Sequence, residues 1–346
     1  MAGCRFLINL SSVVKKKGCE ASMRRFMKHG FGDIHADRFT LKLLWFALIL
    51  ILAIVPVIWS IQGVQAIADS EPQSFPCTIT DDLGRKVKIS APPKRIVSIA
   101  PSNTEILYAL GVSDKIVGVT TACDYPSQAK QKEKVGGAEL NFEKIVALSP
   151  DVVFAVASLQ KTAIEKLERL GITVVAVDPQ TLDDVARAME LIGRASGADP
   201  NKVKEVVDTF RQRKNRVESS VSKQARSKKV RVFVEIWNKP LMTAGPGTFI
   251  DEIIRLAGGE NIAFDAKNPW PQFSEELVIQ RDPEVILLTG NNLEEVMGRA
   301  TWRNISAVKN RRVYEINPDI LVRPGPRLVD GLEEVARCLR DIRASQ

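Results

Sequence analysis

From Arg95 onward, short runs of apolar and β-branched residues alternate with longer stretches of helical spacing. RIVSIA, TEILYAL, KIVGVT, DVVFAV and TVVAVD follow one another with further helical segments between. Runs this short and this rich in Val and Ile read as strands covered on both faces, and their alternation with helices predicts a parallel sheet. The same succession returns after residue 229 as VRVFVEI, FIDEIIRLAGG, EVILLT and RVYEI. The pattern predicts an α/β protein of two Rossmann-like lobes with mainly parallel sheets. Between them, residues 200–227 are charged, carry no Gly or Pro after Pro200, and place Val203, Val206, Val207 and Phe210 at helical spacing. That segment predicts a single long helix joining the lobes.

The two halves agree in detail. NFEKIVALSPDVVFA and SEELVIQRDPEVILL align so that Glu143 meets Glu276 and Pro150 meets Pro283. Each acid should open a short helix, where its charge suits the positive end of the helix dipole. Two equivalent acids, one per lobe, could also dock onto basic residues of a two-fold partner. Both roles are compatible.

In open parallel sheets, ligands bind beyond the carboxyl ends of the strands. After RIVSIA comes PSNTEI, whose Ser102 and Asn103 stand at a helix start, with Ser102 and Glu105 in the S-x-x-E spacing of a capping box. After VRVFVEI come Trp237 and a Gly245-Pro246-Gly247 turn, and after RVYEI come Asp319 and Arg323. Trp270 lies between Pro269 and Pro271, which fix their own φ and push their predecessors toward extended backbone. Such a stiff loop either presents the indole to a ligand or wedges it into the core. For Arg323, a local ion pair with Asp319 is the plainer role, and Trp302 reads as a packing residue. Flat apolar faces beside a few polar groups are what a small-molecule cleft requires. No glycine-rich phosphate motif accompanies them.

Composition narrows the classes. The formal net charge is +8, but residues 1–68 hold 9 Lys and Arg against 3 Asp and Glu, so the remainder is near +2 and no nucleic-acid partner is implied. This leader contains an uncharged apolar run, residues 43–61, flanked by Arg38 and Lys42 and followed by Ala66-Ile67-Ala68. The order is that of an export signal with cleavage near Asp69; a retained membrane anchor is the alternative. The expected organisation is therefore leader 1–68, first lobe 69–199, helix 200–227 and second lobe 228–346. Beyond the leader only Cys77, Cys123 and Cys338 occur, with no zinc-like or disulfide spacing, and neither histidine, His29 or His35, is exported. Histidine-based acid–base chemistry and the commonest metal ligand are thus absent from the exported part, which points to no enzyme activity and no resident cofactor or metal.

On RIVSIAPSNTEILYALG, VGVTTACDYP, NFEKIVALSPDVV, TAGPGTFIDEIIRLAGGENI, PWPQFSEELVIQRDPEVIL and NPDILVRPGPRL, the chain resembles the extracytoplasmic substrate-binding proteins of ABC importers for cobalamin and ferric siderophores, over roughly residues 80–340. The resemblance implies two lobes bridged by a rigid helix, a ligand held between them with modest closure, and a permease dimer with ATPase subunits as partner. It places Glu143 and Glu276 at permease-docking positions and Trp270, Asp319 and Arg323 at cobalamin-contacting ones. Three aromatic positions on the first lobe correspond here to Ala122, Gly137 and Val156, which leaves room for a bulkier corrinoid or a ferric chelate. The rival readings are a chelatase- or reductase-like enzyme on a similar scaffold and a membrane-tethered sensor.

Overall fold

The computed structural model describes residues 74–222 and 228–344. The leader with its run 43–61, the expected cleavage near Asp69 and positions 223–227 of the predicted joining helix lie outside the described residues.

The first lobe runs β1 (Cys77–Thr80), β2 (Lys86–Ile89), β3 (Ile96–Ser98), α1 (Pro101–Ala109), β4 (Ile116–Val119), α2 (Phe142–Ala147), β5 (Val152–Val156), α3 (Ala157–Arg169), β6 (Val174–Val177) and α4 (Leu182–Ser196). Helix α5 (Pro200–Ser222) leads to the second lobe, which opens with β7 (Val230–Glu235), β8 (Trp237–Asn238), β9 (Leu241–Met242), α6 (Phe249–Leu256), β10 (Gly259–Asn261) and α7 (Glu275–Arg281). It closes with β11 (Val285–Leu288), α8 (Leu293–Gly298), α9 (Ser306–Lys309), β12 (Val313–Glu315), α10 (Pro318–Leu321) and α11 (Leu328–Ala344).

Each lobe holds one four-stranded, wholly parallel sheet: β4-β3-β5-β6 in the first and β10-β7-β11-β12 in the second. Counted in chain order, both are second-first-third-fourth, so the internal repeat of the sequence is a repeat of topology. The predicted α/β architecture of two parallel sheets linked by one long helix is what the chain adopts.

Side chains alternate across each sheet with period two. Val152 and Phe154 of β5 face a central apolar cluster, while Val153 and Ala155 face a cluster private to the first lobe. The equivalent β11 residues Val285 and Leu287 face the same central cluster, and Ile286 and Leu288 a private one with Phe233 and Trp302. Trp302 is fully buried, the packing role expected of it. Val207, Phe210 and Val217 of α5 carry the central cluster from one lobe to the other. These buried positions recur at helical spacing, so burial of one stripe holds the helix. Lys214 on that stripe satisfies its charge with Asp183 at 2.7 Å, and Arg213 ties α5 to α11 through Glu333 and Asp330.

Two elements escape the sequence pattern. Strand β10 is Gly-Glu-Asn on a sheet edge, three residues with no apolar run to announce it. Asn238 and Leu241 pair across the short hairpin β8–β9, in a segment that reads as plain loop. No disulfide joins Cys77, Cys123 and Cys338. Among the described residues no helix is long and apolar enough to cross a membrane.

Candidate functional site

In a sheet of this order, the succession of strands reverses between the first and third strands, and the loops at their carboxyl ends form a crevice. In the second lobe those loops are built to hold indoles. Trp237 begins β8, is 63 % exposed, and donates its Nε1–H to the Lys239 carbonyl at 3.0 Å. The segment 268–272 is pinned against the strand-to-helix loop on both sides of Trp270: Thr243 N–H donates to Pro271 O at 3.2 Å and Gly245 N–H to Pro269 O at 2.8 Å. A Cβ on Gly245 would stand 2.6 Å from the Asn268 carbonyl, so only glycine admits this approach. Thr248 then caps α6, accepting from Asp251 N–H and donating to Gly245 O. Phe249, first in that helix, meets the Trp270 ring at 5.7 Å between centroids. Trp270 is 41 % exposed. The two prolines therefore present an indole that rests on Phe249 and keeps a free surface.

Asp319 and Arg323 come together differently from expectation. Asn317 caps the short helix α10, accepting from Asp319 N–H at 2.9 Å, and Asp319 pairs with Arg323 at 2.9 Å. This is the local ion pair, but it is part of a larger group. Arg323 also reaches Asp124 at 2.7 Å and Glu105 at 3.4 Å, both in the first lobe. Arg327 grips Glu105 with two hydrogen bonds of 2.8 and 2.7 Å, lies 3.6 Å from Asp319, and stacks over the Tyr125 ring at 3.7 Å. Three carboxylates and two guanidinium groups thus tie the lobes together at the base of the cleft. The hydrogen bond from Arg323 holds Asp124 below the usual carboxylate range, and hydrogen bonding to Glu105 raises Arg327 further above its ordinary value.

This geometry corrects the capping-box expectation. The N-cap of α1 is Ala100 with Pro101 at the first helical position, so Ser102 lies within the helix and makes no cap hydrogen bond. Pro101 lacks an N–H and has φ preset for helix, which draws the start one residue earlier than Ser102. Glu105, freed from capping, turns to the arginines and is 2 % exposed. Gly325 packs beside the start of α1, where even a Cβ would meet Ser102 O at an ordinary contact distance of 3.4 Å. Ser102 itself is 5 % exposed, and Asn103 is fully buried with neither amide atom partnered. Asn103 is thus an interior group whose amide meets no protein partner. Sequence reasoning missed Asp124, Tyr125 and Arg327.

The first-lobe rim is bare by comparison. Ala122 is exposed, Gly137 half-buried and Val156 nearly buried, so no ring stands at any of the three. A groove of about 630 Å³ runs there between residues 137–142 and 158–166, with Leu159 standing exposed. A cavity of about 840 Å³ shares Glu105 and Arg327 with the ionic cluster and continues along Tyr108, Tyr125, Lys132 and Arg213. None of the six predicted ligand contacts lines it. We take the indole-bearing rim as the better site, because the charged groups Glu105, Arg327, Arg213 and Asp330 of this cavity are already paired with one another.

Glu143 and Glu276 occupy identical places in their lobes. Asn141 caps α2 through Lys144 N–H, Ser274 caps α7 through Leu277 N–H, and each acid is the second residue of its helix. Both helices end in a non-glycine residue of positive φ, Ser149 and Asp282, directly before a proline. Both carboxylates are exposed, and no hydrogen bond or ion pair among the described residues engages either. No group of His, Cys, Asp and Glu among these residues could hold a metal ion.

The geometry has known counterparts. Residues 96–320 match the periplasmic binding protein family model. An uncharacterised ABC transporter substrate-binding lipoprotein of Bacillus subtilis is 38 % identical over 278 residues, 79 % of this chain and 88 % of that one. The crystal structure of the periplasmic vitamin B12 binding protein of Vibrio cholerae superposes with a TM-score of 0.66 at 35 % identity, covering 74 % of this chain and 99 % of that one. A possible iron-binding periplasmic solute-binding protein from Staphylococcus epidermidis gives 0.62 at 33 % identity, covering 72 % and 99 %.

Proposed function

Because this chain belongs to the periplasmic binding protein family and is the substrate-binding component of an ABC importer, we propose that it captures a corrinoid or a ferric siderophore between its lobes, outside the cytoplasm. It hands that ligand to a membrane permease dimer driven by ATPase subunits. In this reading the lobes span 69–199 and 228–346 about the helix 200–227, and segment 43–61 serves for export, as a cleaved signal or a retained anchor. Trp270 and Trp237 form the flat wall, Asp319 and Arg323 supply polar contacts, and Ser102 and Asn103, at the start of α1, complete the set. Glu143 and Glu276 are the docking acids.

The observation that carries the ligand class is Trp270, whose ring rests on Phe249, whose flanking prolines are hydrogen-bonded to Thr243 and Gly245, and which keeps 41 % of its surface open. A rigid indole loses little entropy when a flat chelate stacks on it. In this reading Ala122, Gly137 and Val156 on the first lobe leave space that a compact ligand would not fill. The vitamin B12 and iron-related relatives support both candidate chemistries.

The test is fluorescence titration of the exported protein, whose indoles are Trp237, Trp270 and Trp302, with cyanocobalamin, cobinamide and a panel of ferric siderophores. One class should quench saturably. Trp270→Ala should then weaken its binding by roughly 1 to 3 kcal/mol, as loss of a packed aromatic contact does. Unchanged affinity in that variant would remove Trp270 from the site, and no quenching by any compound would remove both chemistries.

A further inference from the structure

Resting on that reading, and specifying the docking surface within it, we infer that Val146 and Ile279 are paired apolar anchors that seat the protein on its permease beside Glu143 and Glu276. Val146 is 45 % exposed and Ile279 40 % exposed, two of the few large apolar side chains on the surface described. A single exposed aliphatic residue is unremarkable. These two, however, occupy one position of the repeat, each three residues after its glutamate and one after a fully buried aliphatic, Ile145 or Val278. Three residues is one helical turn, so carboxylate and methyl groups share a face. Each lobe therefore offers the same compound feature, an unpaired anion with an aliphatic patch one turn away.

The symmetry identifies the occupant. Both side chains keep a large part of their surface in solvent while the core positions beside them are filled. A ligand in the cleft is one asymmetric body and would not need the feature twice. A partner with two equivalent sites would, each site presenting a cation for the acid and an apolar contact for its neighbour; that is the two-fold permease. Charge would then steer and register the encounter, while the dry aliphatic contact slows release.

The experiment places a photo-crosslinking amino acid at Ala147 or Gln280, equivalent exposed positions next to the anchors, in the full chain in its own cells. Adducts are identified by mass spectrometry. Both reporters should capture the same permease polypeptide. V146D/I279D should lower both yields at least tenfold, V146S/I279S less, and the exposed-site control L83D/L170D not at all, with ligand affinity and melting temperature preserved throughout. Permease capture that survives V146D/I279D but fails in E143K/E276K overturns the anchors and leaves the docking acids standing. Absence of any permease adduct in the parent overturns the docking reading, and the anchors with it.

Discussion

The two lobes share strand order, alternation of faces and a capped helix bearing an exposed glutamate, yet they face their common cleft with opposite materials. The second lobe contributes Trp237 and Trp270, both exposed, and the cations Arg323 and Arg327. The first contributes Ala122, Gly137 and Val156, and the acids Glu105 and Asp124. What the repeat preserves is the scaffold and the outward glutamates. What differs is the rim and what binds lobe to lobe. On the proposed reading, a duplicated fold keeps symmetry where a symmetric partner would read it and loses symmetry where a single ligand would sit.

The largest expected effect comes from breaking the ionic tie. Glu105→Ala leaves Arg327 with only Asp319, at 3.6 Å, while Arg323 keeps Asp124 and Asp319, and it should lower unfolding stability by about 3 kcal/mol, the low end for a severed buried pair because both arginines keep some water. Urea denaturation reads this directly. A loss below about 1 kcal/mol would leave the central apolar cluster through α5 as the sole join. Acid should loosen the same tie. Asp124 has a depressed folded pKa, so its contribution is full above its unfolded value and disappears as pH falls through the folded one.

Next in size is a comparison of two glycines. Gly245→Ala in the second lobe pushes a Cβ to within 2.6 Å of a backbone carbonyl, whereas Gly137→Ala in the first meets only the Thr121 hydroxyl, at 2.7 Å. The backbone cannot swing aside and the hydroxyl can. G245A should cost roughly 1 to 3 kcal/mol and loosen Trp270, and G137A well under that. Equal melting shifts would contradict the close packing of the Trp270 loop. The smallest effect should be the most symmetric: Asn141→Ala and Ser274→Ala each remove one N-cap and should each cost about 1 kcal/mol. Unequal melting shifts would show that the repeat is one of topology without being one of energetics.

How much of this was legible beforehand depends on how local each feature is. The helix at 200–222, the main strands and the equivalence of Glu143 with Glu276 follow from spacing, because a period of two or 3.6 is itself the geometry of the element. Strand β10 was not legible, since three polar residues at an edge are recruited by Val230–Val232 and not by any preference of their own. The indole of Trp270 was readable as stiffly held, yet its exposure was not, because that depended on Gly245 and Phe249 arriving on the far side.

The sequence by itself determined the lobes, the repeat, the joining helix and the absence of histidine chemistry beyond the leader, all consequences of residue type and short-range order. Only the tertiary structure decided the fate of the charges. Glu105 has the spacing of a capping residue and instead finds Arg327, 222 positions away. Asn103, at a helix start beside a predicted cleft, is sealed inside. A side chain's partner is set by which surfaces meet once the two sheets are covered, and that contact closes across chain separations no local pattern can encode.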